Sequence, residues 1–222
     1  MWPVTLAGRP YLSLAEVLAS PPDWPELHLR LLFDLLSDAP TFEVQTSGST
    51  GVPKALSVPK AGASMSARAT IKHLGVPAGS KLLLALDPQP IGGRMVMVRA
   101  LATGMDLRVC PAQALPEPAP GEFALTSLVP RQVLALLDEA PETLLRMGQV
   151  LVGGAPVDNA LEERLGGWPN PVWHTFGMTE TLSHVALRRL DLGETDFKAL
   201  SGCRFSQDAE DCLVIEAPWV GA

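Results

Sequence analysis

The chain has 222 residues, 47% of them hydrophobic and 18% charged, with 17 basic against 24 acidic side chains and a net charge of −7. Such a composition is that of a chain folded around a buried core, not of a disordered one. The acidic balance also argues against a general binder of nucleic acid or anionic membrane, because no basic surplus exists to neutralise phosphates. In chain order, Glu26 to Leu36 places leucines at helical intervals. Thr41 to Gln45 and Ala55 to Val58 read as strands around a loop of small residues, and a helix follows Pro59 to Leu74, where Gly75 can end it. An alternation then sets in: strand over Leu82–Leu86, helix over Gly93–Leu101, strand over Asp106–Cys110, and a proline-rich connector from Pro111 to Gly121. Strand Phe123–Ser127, a helix opened by Pro130, strand Gln149–Val152, helix Asp158–Leu165 and strand Val172–Thr175 continue it. From His184 the pattern turns to strands and turns, ending at Cys212–Ile215. Apolar strands alternating with helices predict an α/β fold, largely parallel sheets flanked by helices.

Cys110, Cys203 and Cys212 form no CxxC pair, and His28, His73, His174 and His184 show no ligand spacing, so neither a disulfide framework nor a zinc site is expected. The chain opens without a basic segment followed by an apolar run, and no apolar stretch is long enough to span a bilayer. A cytoplasmic protein with reduced thiols and no membrane partner is the expectation, and a homo-oligomer is compatible with it.

Three segments carry candidate chemistry. In TSGSTGVPK, hydroxyls (Thr46, Ser47, Ser49, Thr50) alternate with Gly48 and Gly51, and Lys54, one of five lysines, closes the run. Backbone N–H groups of such a loop can line an anion site, and the lysine adds a point charge suited to a triphosphate. The spacing is not that of GxxxxGK[ST], and no helix opens at the lysine. A flexible Ser/Gly loop has the same composition; the flanking strands and the closing lysine favour phosphate binding. Gly153-Gly154-Ala155-Pro156 follows a predicted strand, where open α/β sheets bind ligands. Its glycines admit a flat ring, or simply make a turn. His174 to Thr181 (HTFGMTET) also follows a strand. There Glu180 suits magnesium, Thr179 a phosphate oxygen and Phe176 a purine face; a turn with an exposed glutamate is the plainer alternative.

In order and type these segments resemble the AMP-forming adenylating superfamily: TSGSTGVPK its phosphate loop, GGAP its adenine-side motif, and FGMTE its magnesium and adenine motif. IGGRM, TSLVP, SHVALR and DCLVI further resemble acid–CoA ligases of the o-succinylbenzoate type. The likeness covers most of the chain from about Phe42 onward. It implies a fold like the large N-terminal domain of adenylate-forming ligases, with a reduced N-terminal part. The expected parts are a phosphate-loop subdomain (about 1–80), a nucleotide- and acid-binding subdomain (about 81–190) and the start of a β-rich segment (about 191–222). The small domain with the family's mobile lysine is expected to be missing, whether by truncation or as a natural remnant. The resemblance further implies Mg²⁺, with ATP and CoA as co-substrates and a small carboxylate as the acid. Catalytic roles would fall on Lys54, Thr179 and Glu180, and metal binding on Glu180. ATP contacts would come from Thr46–Gly51, Lys54, Gly153, Gly154, Ala155, Phe176, Gly177, Met178 and Thr179. Acid contacts would come from Arg94, Ser127, Ser183 and His184. Arg94 can clamp a second carboxylate with two hydrogen bonds; it reads equally as a solvated helix residue. His184 reads more readily as a structural histidine. Other aryl- or acyl-CoA ligases and a non-catalytic nucleotide-binding module are the rival readings.

Overall fold

The computed structural model describes residues 2–46 and 54–221. Val4–Leu6 (β1) and Arg9–Tyr11 (β2) open the chain, followed by Leu14–Ala19 (α1) and Glu26–Leu36 (α2). Thr41–Thr46 (β3) pairs with Lys54–Pro59 (β4) in a separate two-stranded ladder, which runs directly into Lys60–Leu74 (α3). The alternating unit comprises Lys81–Leu84 (β5), Ile91–Thr103 (α4), Asp106–Val109 (β6), Leu125–Leu128 (β7), Pro130–Glu139 (α5), Pro141–Arg146 (α6), Gln149–Val152 (β8), Asn159–Leu165 (α7) and Val172–Met178 (β9). Ser183–Arg189 (β10), Lys198–Ala199 (β11), Arg204–Gln207 (β12) and Leu213–Glu216 (β13) complete the order.

Nine strands form the main sheet, in the order β11-β10-β9-β8-β7-β5-β6-β1-β2. From β9 to β1 all neighbours are parallel; β10, β11 and β2 add antiparallel edges. The strands read as unbroken apolar runs because both faces are covered. Along β5, Leu82 and Leu84 enter the core shared with α2, α3 and α4. Leu83 and the following Ala85 enter a second core with Val133, Leu136, Leu144, Leu161 and Leu165 of α5–α7. The expected α/β architecture is therefore present, with helices on both faces. No described helix is long and apolar enough to cross a membrane.

Local chemistry fixes the ends of these elements. Gly75 stops α3 in the left-handed region (φ 64°), its N–H reaching the last free carbonyls. Asp158 caps α7, accepting from Leu161 N–H at 2.8 Å. At the start of α5, Gln132 accepts from Val129 N–H at 3.1 Å and donates to the carbonyls of Ala85 and Gln113, each at 2.8 Å. One buried amide thus ties the β7–α5 turn to the end of β5 and to the proline-rich connector.

The chain moves from β5 to β6 on one side and returns to place β7 on the other. The connections leaving the carboxyl ends of the paired strands β5 and β7 therefore diverge at a topological switch point, where doubly wound sheets hold their ligands.

Candidate active site

A cavity of about 940 Å³ opens at that edge of the sheet. Its walls come from Leu86 and Asp87 after β5, the first turn of α4, Ser127 to Val129 at the end of β7, Gly153 and Gly154 after β8, and Thr175 to Glu180 at the end of β9, Phe176 excepted. Ser183 and His184 of β10 and Gln45 of β3 close it. Of the residues singled out from sequence, Ser127, Gly153, Gly154, Gly177, Met178, Thr179, Glu180, Ser183 and His184 thus share one cavity. Thr46 and Lys54 are the last backbone pair of the β3–β4 ladder. Ser47, Gly48, Ser49, Thr50 and Gly51 lie outside the described residues. Gln45, one position before Thr46, brings the base of that loop to the cavity wall.

Three expectations do not match the geometry. Ala155 does not line the cavity. Phe176 does not line it either: its ring packs against Phe197 and Phe205, with centroids 5.6 and 6.2 Å apart. The expected loop after the strand is itself strand, since β9 continues to Met178. Side chains alternate along it, so Thr175 and Gly177 face the cavity while Phe176 turns to the other side. Gly177 has a strict reason to be glycine, because a Cβ there would lie 2.3 Å from Ser183 O and 2.5 Å from His184 Cα.

The third correction concerns Arg94. It is buried, but its Nη1 pairs with Asp34 at 3.4 Å, its Nε donates to Pro88 O at 3.1 Å, and its guanidinium lies 5.3 Å from the Phe42 ring. It clasps α4 to α2 and does not line the cavity. The cavity's arginine is Arg99, which is 2% exposed and donates from Nη2 to Ser183 Oγ at 3.0 Å. Its Nε has no hydrogen-bond partner, and no carboxylate lies within salt-bridge distance among the described residues. Burial pulls its pKa down to about 10, which still leaves it charged at neutral pH. A buried cation without a counterion is costly, and it marks a place built to receive an anion. Next to it, His184 is held neutral: burial first, then the Arg99 charge and His73, press its pKa well below the usual value. Sequence reasoning missed Arg99 because it sits inside the helical run GRMVMVRAL; an arginine within so apolar a helix was the available signal.

The residues also suit magnesium. Glu180 is an exposed carboxylate on the cavity wall, in the turn after β9 and beside Thr179. No group of three or more His, Cys, Asp or Glu that could hold a metal exists among the described residues. Mg²⁺ keeps most of its waters and is commonly held by one or two carboxylates plus substrate phosphates. A single glutamate facing a phosphate-sized space meets that need.

Comparison with known proteins agrees with this geometry. Residues 34–204 match the family model described as AMP-binding enzyme. A probable 2-succinylbenzoate–CoA ligase of Mycobacterium tuberculosis is 29% identical over 184 residues, covering 77% of this chain and 47% of that protein. The 2-succinylbenzoate–CoA ligase of Bacillus subtilis is 28% identical over 152 residues, covering 67% of this chain and 31% of that one. The chain thus spans about half, or less, of the length of these relatives. Among solved structures, an acyl-CoA synthetase (AMP-forming)/AMP-acid ligase II-like protein from Dyadobacter fermentans superposes with a TM-score of 0.79 at 33% identity, covering 86% of this chain and 58% of that one. The o-succinylbenzoate coenzyme A synthetase of B. subtilis, in complex with ATP and magnesium ion, shares the fold, with a TM-score of 0.66 at 22% identity, 80% of this chain and 41% of that one being covered. With the family model matching well over half of its length, the chain belongs to the AMP-binding enzyme family.

Proposed function

We propose that this chain is the nucleotide- and acid-binding part of an acid–CoA ligase that activates an aromatic dicarboxylate, o-succinylbenzoate of menaquinone biosynthesis being the reading best supported. In the first half-reaction a carboxylate oxygen attacks the α-phosphorus of ATP. The bond to the β-phosphate breaks, and pyrophosphate leaves with its electron pair. In the second, the CoA thiol attacks the acyl carbon and AMP departs. The chain's own contribution is positioning and charge stabilisation. Gly153, Gly154, Gly177 and Met178 would border the nucleotide, Thr179 a phosphate oxygen, and the 46–54 loop with Lys54 the outer phosphates. Glu180 would hold Mg²⁺, which when bound supplies neutralisation of phosphate charge.

The observation that carries the substrate reading is Arg99. A buried guanidinium on the cavity wall without a carboxylate partner among the described residues, beside the Ser183 hydroxyl and a neutral His184, suits a carboxylate other than the one that reacts. A fatty acid would leave that charge buried and unpaired, a penalty of roughly 1–3 kcal/mol or more. The 2-succinylbenzoate–CoA ligases among the relatives point the same way.

The test is ligand binding to this chain in the presence of AMP, comparing o-succinylbenzoate, benzoate and octanoate. The dicarboxylate should bind most tightly, and Arg99→Met should erase that preference while sparing AMP. Equal binding of octanoate would point to another acyl-CoA ligase. AMP binding with no acid binding would favour a nucleotide-binding module.

A further inference from the structure

Leu182 and Ser183 both have positive φ, at 53° and 97°, though neither is glycine. Such backbone is disfavoured for L-residues and persists only where its surroundings over-determine it. Here the restraint comes from inside. Ser66 Oγ donates to Leu182 O at 3.0 Å, and Trp219 Nε1 donates to Thr181 O at 2.9 Å. Thr181 Oγ1 accepts from Met178 N–H at 2.9 Å and lies 2.7 Å from Ser183 O. Gly62, Ser66 and Thr70 recur every fourth residue on α3, forming one face against this turn. A Cβ at Gly62 would meet Trp219 O at 2.5 Å and Leu182 Cδ1 at 2.9 Å, so the helix can approach this closely only without one.

Thr70 Oγ1 lies 3.1 Å from Ser66 O and 2.9 Å from His184 Nε2. If Thr70 gives its single hydroxyl proton to the Ser66 carbonyl, which can only accept, His184 donates to Thr70 from Nε2–H. His184 Nδ1 is then a lone-pair acceptor, 3.4 Å from Ser183 Oγ. That oxygen also accepts from Arg99, and with Nδ1 an acceptor the Ser183 hydroxyl has its own proton to donate. It rests loosely on Nδ1 and is free for a nearer ligand oxygen. Ser66, Thr70, Arg99 and His184 are all at least nine-tenths buried.

We propose that Ser66 and Thr70 are positioning residues, holding the strained Leu182–His184 turn so that Ser183 and Arg99 present their free donors together to an acid's carboxylate. This rests on the reading of the cavity as an acid site.

The experiment uses Thr70→Val, Thr70→Ser and Ser66→Ala, with ¹⁵N-histidine spectra of the ligand-free protein and calorimetry for o-succinylbenzoate (AMP present) and for Mg–ATP. His184 should appear as the Nε2–H tautomer, its signal assigned by loss in His184→Gln. Thr70→Val should abolish that signature and weaken the acid roughly three- to tenfold, the effect of one neutral hydrogen bond on an equilibrium. Mg–ATP affinity should hold, Thr70→Ser should restore both readouts, and Ser66→Ala should weaken the acid alone. An unchanged His184 signal in Thr70→Val overturns the proposal. So does equal loss of acid and nucleotide without rescue by serine, which is the behaviour of a purely structural residue. If the unmodified chain takes no o-succinylbenzoate, the acid reading fails, and whether Thr70 orients His184 is then decided by the His184 spectrum alone.

Discussion

Arg94 and Arg99 stand on the same helix, both buried, yet their guanidinium groups belong to different parts of the molecule: Arg94 reaches Asp34 on α2, and Arg99 reaches Ser183 on β10. Five residues at about 100° each separate them by roughly 140° around the helix axis. If one faces the core contact with α2, the other must face the cavity. Only Arg94 has an acidic partner, so one arginine is a clasp and the other an anion site.

Replacement should separate these roles. Arg99→Met removes an unpaired buried charge while keeping most of the volume, and should leave stability unchanged or raise it. Arg94→Met breaks an ion pair and a hydrogen bond to Pro88 O, and should lower stability by about 1–3 kcal/mol. Urea unfolding of both variants, alongside acid binding, reads the difference. Arg99→Met as the less stable variant, with acid binding intact, would count against the assignment.

Gly92 and Gly93 are neighbours with opposite constraints. A Cβ on Gly93 would sit 2.0 Å from Asp87 O, whereas one on Gly92 meets nothing closer than Leu86 Cδ1 at 4.0 Å. Gly93→Ala should therefore cost about 1–3 kcal/mol through overpacking. Gly92→Ala should gain up to about 1 kcal/mol from helix propensity, raising Tm by roughly 2–4 °C. Gly92 lines the cavity, so the same change should weaken a bulky aromatic acid more than AMP. Thermal melts and competition binding check both halves.

Much of this was legible in the sequence, for a physical reason. Strands such as Gln149–Val152 and helices such as Glu26–Leu36 have the expected bounds because their apolar periods and ends are local properties. The small elements β1, β2, α1 and α6 have three to six residues and carry no readable period. That Ser127, Gly153, Gly154, Thr179, Glu180 and Ser183 share one cavity could be anticipated because they stand in contiguous motifs at strand ends. That Phe176 and Arg94 stand outside the cavity wall could not be read, because their directions depend on facts beyond the motif: the continuation of β9 to Met178, and which face of α4 meets Asp34. Thr70 was illegible altogether, since its meaning lies in His184, 114 residues away.

Glu180 tests the metal reading. Its side chain is exposed in the turn after β9, so Glu180→Gln should leave the melting temperature near that of the unmodified chain. It removes a charged oxygen ligand while keeping the shape. Calorimetry with ATP should show that magnesium strengthens binding to the unmodified chain and does so much less in Glu180→Gln, the two proteins agreeing when EDTA is present. An undiminished magnesium effect in the variant would remove Glu180 from the metal site.

The histidines set the pH dependence of stability. His28, His73, His174 and His184 all titrate below the ordinary value of 6.5, in each case chiefly because burial disfavours the imidazolium. In the unfolded chain they return to about 6.5. As pH falls through that value the unfolded state takes up protons that the folded state refuses, so stability is full above 6.5 and declines below it, until the folded pKa values are reached. The urea midpoint should therefore change little between pH 7.5 and 6.5 and drop from there to 5.5. His184→Gln should flatten that slope. His28→Leu should flatten it too and also raise stability at pH 7.5 by about 1 kcal/mol, because both ring nitrogens of His28 are buried without a hydrogen-bond partner. A midpoint constant across this range, or one that rises toward acid, would mean that these imidazoles are not held neutral by the fold.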